Sequence, residues 1–196
     1  GETIEGKACA ISGSGNVAQY CAQKVLSYGG KVITMSDSGG YIFDKDGINE
    51  SKLEWIMGLK NSRRGRIKEY VKEYPGAVYH EGKRPWGEVC DIALPSATQN
   101  EIEEKGATNL VKNGCMAISE GANMPTSPKA YTILSDAGVL FGPAKAANAG
   151  GVAVSSLEMS QNAAFDEWTS EKVDSKLDHI MTGIHKQCAD AAEEYN

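Results

Sequence analysis

The segment Gly13-Ser14-Gly15-Asn16-Val17-Ala18, placed directly after the apolar run Ala8-Cys9-Ala10-Ile11, restricts this chain more than any other feature. A G-x-G-x-x-A between a strand and a helix implies a tight β-to-α turn. Gly13 permits the bend out of the strand. Gly15 lacks a side chain, so a diphosphate can approach the backbone, and Ala18 is small enough for close helix–sheet packing. The helix N-terminus offers unpaired N–H groups and partial positive charge to the anion. Gly13, Ser14, Gly15, Asn16 and Val17 are therefore candidate dinucleotide ligands. The bare pattern also fits an ordinary glycine-containing loop. Its context favours binding, because a second strand follows the helix and ends in Asp37, where an acid can reach an adenosine ribose. No G-x-x-x-x-G-K-[ST] is present, which argues against a nucleotide triphosphatase loop.

Short apolar runs alternate with amphipathic stretches along the chain, the pattern of an α/β fold. Strands are expected at residues 8–11, 31–36, 77–79, 91–94, 116–118 and 139–141. Tyr41-Ile42-Phe43 with Asp44-Lys45-Asp46-Gly47 reads as a small hairpin or turn insert. Helices are expected at 17–28, 51–60, 66–74, 108–112, 129–136, 150–164 and 170–194. The first has apolar positions at Val17, Ala18, Cys21, Ala22 and Val25. The last carries a stripe of Val173, Leu177, Ile180, Met181 and Ile184. Together these predict a Rossmann-like, doubly wound, mostly parallel six-stranded sheet with helices on both faces, forming one dinucleotide-binding domain over 1–196.

Bulk properties narrow the partners. The net charge of −6 argues against nucleic acid. No apolar stretch approaches the roughly 20 residues that span a bilayer, so no membrane partner is expected. Cys9, Cys21, Cys90, Cys115 and Cys188 are odd in number and widely spaced. They read as free thiols in a reducing cytoplasm rather than disulfides or metal ligands. His80, His179 and His185 form no metal-ligand spacing.

The nature of the dinucleotide is open at this level. Asp37 favours NAD, because a carboxylate repels a 2′-phosphate. Ser38 and the downstream cluster Lys60, Arg63, Arg64, Arg66 and Lys68 favour NADP. The same cluster also fits a solvated helix face paired with Glu69 and Glu73.

Four later stretches resemble one family, in order. They are Ala93-Leu94-Pro95-Ser96-Ala97-Thr98-Gln99-Asn100, Glu120-Gly121-Ala122-Asn123-Met124-Pro125-Thr126, Lys145-Ala146-Ala147-Asn148-Ala149-Gly150-Gly151-Val152-Ala153-Val154-Ser155, and Leu157-Glu158-Met159-Ser160-Gln161-Asn162. They resemble the hexameric glutamate dehydrogenases of bacteria and lower eukaryotes. Ser36-Asp37-Ser38 and Lys60-Asn61-Ser62-Arg63-Arg64-Gly65-Arg66 look like the NADP-preferring branch.

The resemblance implies reversible oxidative deamination of L-glutamate to 2-oxoglutarate and ammonia, in a homohexameric enzyme. Gly13–Val17, Asp37, Ser38, Lys60 and Arg63 would hold NADP, with NAD the lesser alternative. Ala97, Thr98 and Gln99 would lie along the cofactor, Asn123 at the nicotinamide ribose and Asn148 at the carboxamide. Val152 and Ser155 would border the substrate, the Ser155 hydroxyl on its distal carboxylate. In the family a lysine that activates water and a proton-transferring aspartate lie on a separate N-terminal domain, and a C-terminal segment returns to it. Nothing in these 196 residues matches those parts. The expectation is a cofactor domain with no catalytic residue of its own, inactive by itself. Two rivals remain: a leucine, phenylalanine or valine dehydrogenase using NAD, and a non-catalytic NADP-binding module.

Overall fold

A computed structural model describes residues 3–195. It divides into two compact units, Gly1–Gly142 and Pro143–Asn196.

In the first unit β1 (Ala8–Ile11) leads through the glycine turn into α1 (Asn16–Ser27), then β2 (Lys31–Asp37) and β3 (Gly40–Phe43). Next come α2 (Glu50–Met57), a π-helical turn (Gly58–Ser62), a 3-10 turn (Ile67–Glu69), α3 (Tyr70–Glu73) and β4 (Val78–Glu81). The unit ends with β5 (Ile92–Leu94), α4 (Glu104–Lys112), β6 (Ala117–Ser119), α5 (Pro128–Asp136) and β7 (Leu140–Gly142).

The sheet has seven strands, not six, in the order β4-β3-β2-β1-β5-β6-β7. The extra one is the Tyr41–Phe43 run, read from sequence as a turn insert. It pairs antiparallel with both β2 and β4, so β4 points the same way as β2. All other pairings are parallel. Ser38-Gly39 makes the two-residue hairpin between β2 and β3. Gly40 then runs so close to β4 that a Cβ there would strike the His80 carbonyl. Four residues are too few to establish a period and suit a turn or a strand equally; the β4 edge decides for the strand.

Strand alternation sends the core to both faces. Cys9 and Ile11 pack with Ala18, Ala22 and Val25 of α1, Leu53 and Ile56 of α2, and Tyr70. Ala10 and Ala93 pack on the other side with Ala107 and Leu110 of α4 and Ala130 and Leu134 of α5. Helix α4 starts earlier than the sequence suggested. Its cap, Glu103, makes no side-chain capping bond, so the usual start signal is missing.

A register shift interrupts the β1–β2 ladder. Thr34 repairs it: its Oγ1 accepts from the Ile11 N–H and donates to the Ile11 carbonyl, both at 3.0 Å. Cys9, Cys90 and Cys115 are buried and all five thiols are free. Burial is the main reason the Cys9 thiol is pushed up to about 12 and that of Cys21 to about 11.

The second unit holds α6 (Ala144–Ala147), α7 (Ala149–Ala163) and α8 (Ser170–Tyr195). The α8 stripe Val173, Leu177, Ile180, Met181 and Ile184 is half-buried. Among the described residues no helix is long and apolar enough to cross a membrane.

Candidate functional site

Strand order reverses at β1: α1 carries the chain to β2 on one side, while β5 lies on the other. Such a switch point opens a crevice at the carboxyl ends of the strands. A cleft of about 930 Å³ lies there, lined by the glycine turn, the end of β2 and the loop after β5.

The two turn glycines do different work. Gly13 has φ +85, and a Cβ on it would stand 2.8 Å from the Ser96 carbonyl oxygen. Its N–H donates to Ser36 Oγ at 2.7 Å, and its carbonyl accepts from the Ser36 N–H at 3.0 Å. Ser12 Oγ, buried, accepts from the Ser96 N–H at 2.9 Å. Gly13 is thus built into the frame. Gly15 is not: a Cβ on it would meet no heavy atom within 4 Å. Gly15 caps α1 without a side-chain bond, and no acidic residue stands in the first turn. The first-turn N–H groups therefore lack the side-chain acceptor that usually closes a helix start. An open cradle beside a bare helix N-terminus fits a phosphate group.

The end of β2 explains how an acid can stand at an anion site. Asp37 Oδ1 accepts from the Gly39 N–H and Oδ2 from the Ile67 N–H, each at 2.9 Å, and Lys60 Nζ is 3.5 Å from Oδ2. The carboxylate is thereby committed to its own loop. Ser38 Oγ accepts from Arg66 at 2.7 Å, and Lys60 also donates to the Gly65 carbonyl at 3.0 Å. Two cations, Lys60 and Arg66, line this part of the cleft. Arg63 does not; its guanidinium lies over the Trp55 ring, 4.7 Å from the centroid.

Ala97 and Thr98 line the far wall, while Gln99 is exposed outside it. The Ala97 and Thr98 N–H groups donate to Glu101 Oε1 at 3.1 and 3.2 Å. Burial holds the Glu101 carboxyl above its ordinary value, although bonds from Ser12, Ala97 and Thr98 oppose the shift. The loop after β6 is stitched alongside, with the Gly121 and Ala122 N–H groups donating to the Pro95 carbonyl. Asn123, exposed, follows on that loop. Lys83, Arg84 and Glu101 also border the cleft; the sequence reading did not select them. Arg66 stood in the basic cluster, but the sequence singled out Arg63 in its place.

In the second unit Asn148 is the N-cap of α7. Val152 and Ser155 are exposed, three residues apart, and share one face of α7.

The fold and this cleft define a class: α/β proteins that present an open glycine turn at the carboxyl edge of a mostly parallel sheet. Comparison with known proteins identifies the lineage. The family model described as glutamate/leucine/phenylalanine/valine dehydrogenase matches residues 1–196, and the chain belongs to this family. It is 57% identical to the NAD(P)-specific glutamate dehydrogenase of Xylanibacter ruminicola, over 96% of this chain and 42% of that protein. It is 53% identical to the NADP-specific glutamate dehydrogenase of Haemophilus influenzae, again over 96% and 42%. A crystal structure of Plasmodium falciparum glutamate dehydrogenase superposes with a TM-score of 0.92 at 46% identity, covering 96% of this chain and 40% of that one. The chain spans less than half the length of the curated relatives it matches.

Proposed function

We propose that residues 1–196 form the NADP(H)-binding domain of a glutamate dehydrogenase, wound as a Rossmann-like frame. The whole protein interconverts L-glutamate with 2-oxoglutarate and ammonia in the cytoplasm, as a homohexamer. The observation that carries this reading is the pairing of an open Gly15 cradle with Lys60 and Arg66 at the end of β2. Bound there, NADP(H) supplies or accepts the hydride.

The residues of this chain bind and orient. Ser14, Asn16, Val17 and Gly15 hold the diphosphate at the α1 N-terminus. Lys60 and Arg66, with the Ser38 hydroxyl, hold a 2′-phosphate. Asp37 does not oppose them, because Gly39, Ile67 and Lys60 already claim its oxygens. Thr98, with Ala97, lies along the cofactor, and Asn123 orients its nicotinamide end through its amide. Val152 and Ser155 border the glutamate side chain. Proton transfer belongs to groups of a further domain, so residues 1–196 alone turn over no glutamate.

Calorimetric titration with NADP and NAD tests the cofactor assignment. Lys60→Ala and Arg66→Ala are each expected to weaken NADP about tenfold, the low end for a charge-assisted bond, and to leave NAD nearly unchanged. Arg63→Ala, removed from the cleft by Trp55, is expected to change NADP affinity less than these two. Equal affinities for both cofactors, unmoved by Lys60→Ala, end the NADP assignment. The Xylanibacter relative, named NAD(P)-specific, favours a second reading in which NAD also binds productively. A wild-type preference for NADP below about tenfold, ~1.4 kcal/mol, selects that reading.

A further inference from the structure

Helix α1 buries a residue that its apolar pattern does not predict. Val17 is 51% exposed, while Gln19 is 1% exposed. A buried carboxamide must find partners, and Gln19 finds them on two elements. Its Nε2 donates to the Ser14 carbonyl at 2.8 Å and to Asn61 Oδ1 at 3.1 Å. Its Oε1 accepts from Asn61 Nδ2 at 3.0 Å. The two amides form a closed reciprocal pair.

Each end of this pair is joined to an element that borders the cleft. The Ser14 carbonyl shares a trans peptide with the Gly15 N–H, and the two bonds point in opposite directions. Drawing the carbonyl toward buried Gln19 turns the Gly15 N–H the other way, out from the helix packing. At the other end, Asn61 belongs to the π-helical turn Gly58–Ser62. Its neighbour Lys60 sends Nζ to Asp37 and the Gly65 carbonyl. A π-turn carries more residues per turn than the α-helix before it and so re-aims the side chains it bears. Here adjacent residues serve different neighbours: Asn61 faces α1, and Lys60 faces the end of β2.

We propose that Gln19 and Asn61 are positioning residues that set cofactor preference from outside the cleft. The amide pair locks the π-turn to the diphosphate turn, so that Lys60 stands at a fixed reach from the α1 N-terminus. This rests on the reading of the cleft as an NADP site. Neither amide lines the cleft, so neither acts by contact. The pair defines a spacing, and a ligand with anionic groups at both places gains from it. NAD, with no 2′-phosphate, uses only one end.

The test uses the full-length polypeptide that contains residues 1–196, with KM and Kd for NADP and NAD measured separately and melting temperature followed for each variant. Asn61 is exposed, so Asn61→Ala is expected to keep the fold. Its NADP-over-NAD preference is expected to fall about fivefold, an ordinary size for an indirect coupling, with kcat unchanged. Gln19→Met is expected to weaken both cofactors, NADP more than NAD, because the Ser14 contact is also lost. In a Lys60→Ala background, Asn61→Ala is expected to add nothing further. A wild-type protein without NADP preference removes the underlying reading and this proposal with it. A wild type that prefers NADP, loses that preference in Lys60→Ala and keeps it in Asn61→Ala overturns the proposal alone. Additive effects of Lys60→Ala and Asn61→Ala on NADP do the same. If Gln19→Met fails to fold, the Asn61 variants still decide.

Discussion

Gly15→Val is expected to leave the fold intact and weaken NADP about 100-fold, ~3 kcal/mol, whereas Gly13→Ala is expected to unsettle the fold itself. The two glycines are two residues apart in one motif, yet their environments predict opposite readouts. Gly15 has φ −84, a value any residue adopts, and its Cβ direction is empty. A side chain there costs the free protein little and occupies the space a diphosphate needs. Gly13 sits at φ +85 with the Ser96 carbonyl oxygen 2.8 Å from a would-be Cβ. Alanine there combines left-handed backbone strain with a clash against backbone, of order 1–3 kcal/mol. Thermal melting and calorimetric titration of both variants separate the cases. A Gly15→Val protein that melts normally and binds NADP like the wild type removes the cradle from the site.

Asp44→Ala is expected to cost about 3 kcal/mol of stability, because it strands the buried Tyr70 hydroxyl and takes from the half-buried Lys52 its charged partner, leaving that ammonium only the Gly47 carbonyl. Asp44 Oδ2 accepts from Tyr70 Oη at 2.7 Å and from Lys52 Nζ at 2.8 Å, and Oδ1 accepts from the Asp46 N–H at 3.1 Å. Both Asp44 and Tyr70 are buried. This network pins α2 and α3 to the end of β3. Burial by itself raises the Asp44 carboxyl, but the bonds from Lys52 and Tyr70 and the Lys52 charge together outweigh it and hold the group below its ordinary value. A lowered folded value means the unfolded chain binds the proton more tightly. The contribution is therefore complete above the unfolded value of about 3.9, and disappears as pH falls through the lower folded value. Denaturant melts of Asp44→Ala at neutral pH give the magnitude. A loss under about 1 kcal/mol shows that the network is not structural. An unaltered acid-side slope in the variant shows that Asp44 is not its source.

Much of the site was legible in advance where chemistry and local backbone coincide. Gly13, Gly15 and Ala18 have meaning within one turn, and the structure uses them as that turn requires. The loop after β5 was found through its family-like Ala97-Thr98-Gln99 stretch, though only the first two line the cleft. The family-like stretch pointed to Arg63, whereas Arg66 lines the cleft. Trp55 takes Arg63, and the Ser38 hydroxyl takes Arg66. Glu101 gave no signal because its role, accepting from Ala97 and Thr98, exists only once the loop folds back on it.

The order of strands and helices, and the turn that joins β1 to α1, were fixed by residues within a few positions of one another. Hydrophobic alternation and glycine chemistry act at that range. Three matters lay beyond it: whether Tyr41–Phe43 joins the sheet, which arginine reaches the cleft, and why Gln19 rather than Val17 is buried. Each depends on a neighbour distant in the chain: β4 for the first, Trp55 and Ser38 for the second, Asn61 for the third. Periodicity says which side chains share a face, but only packing decides which face is covered and which long side chain finds a partner.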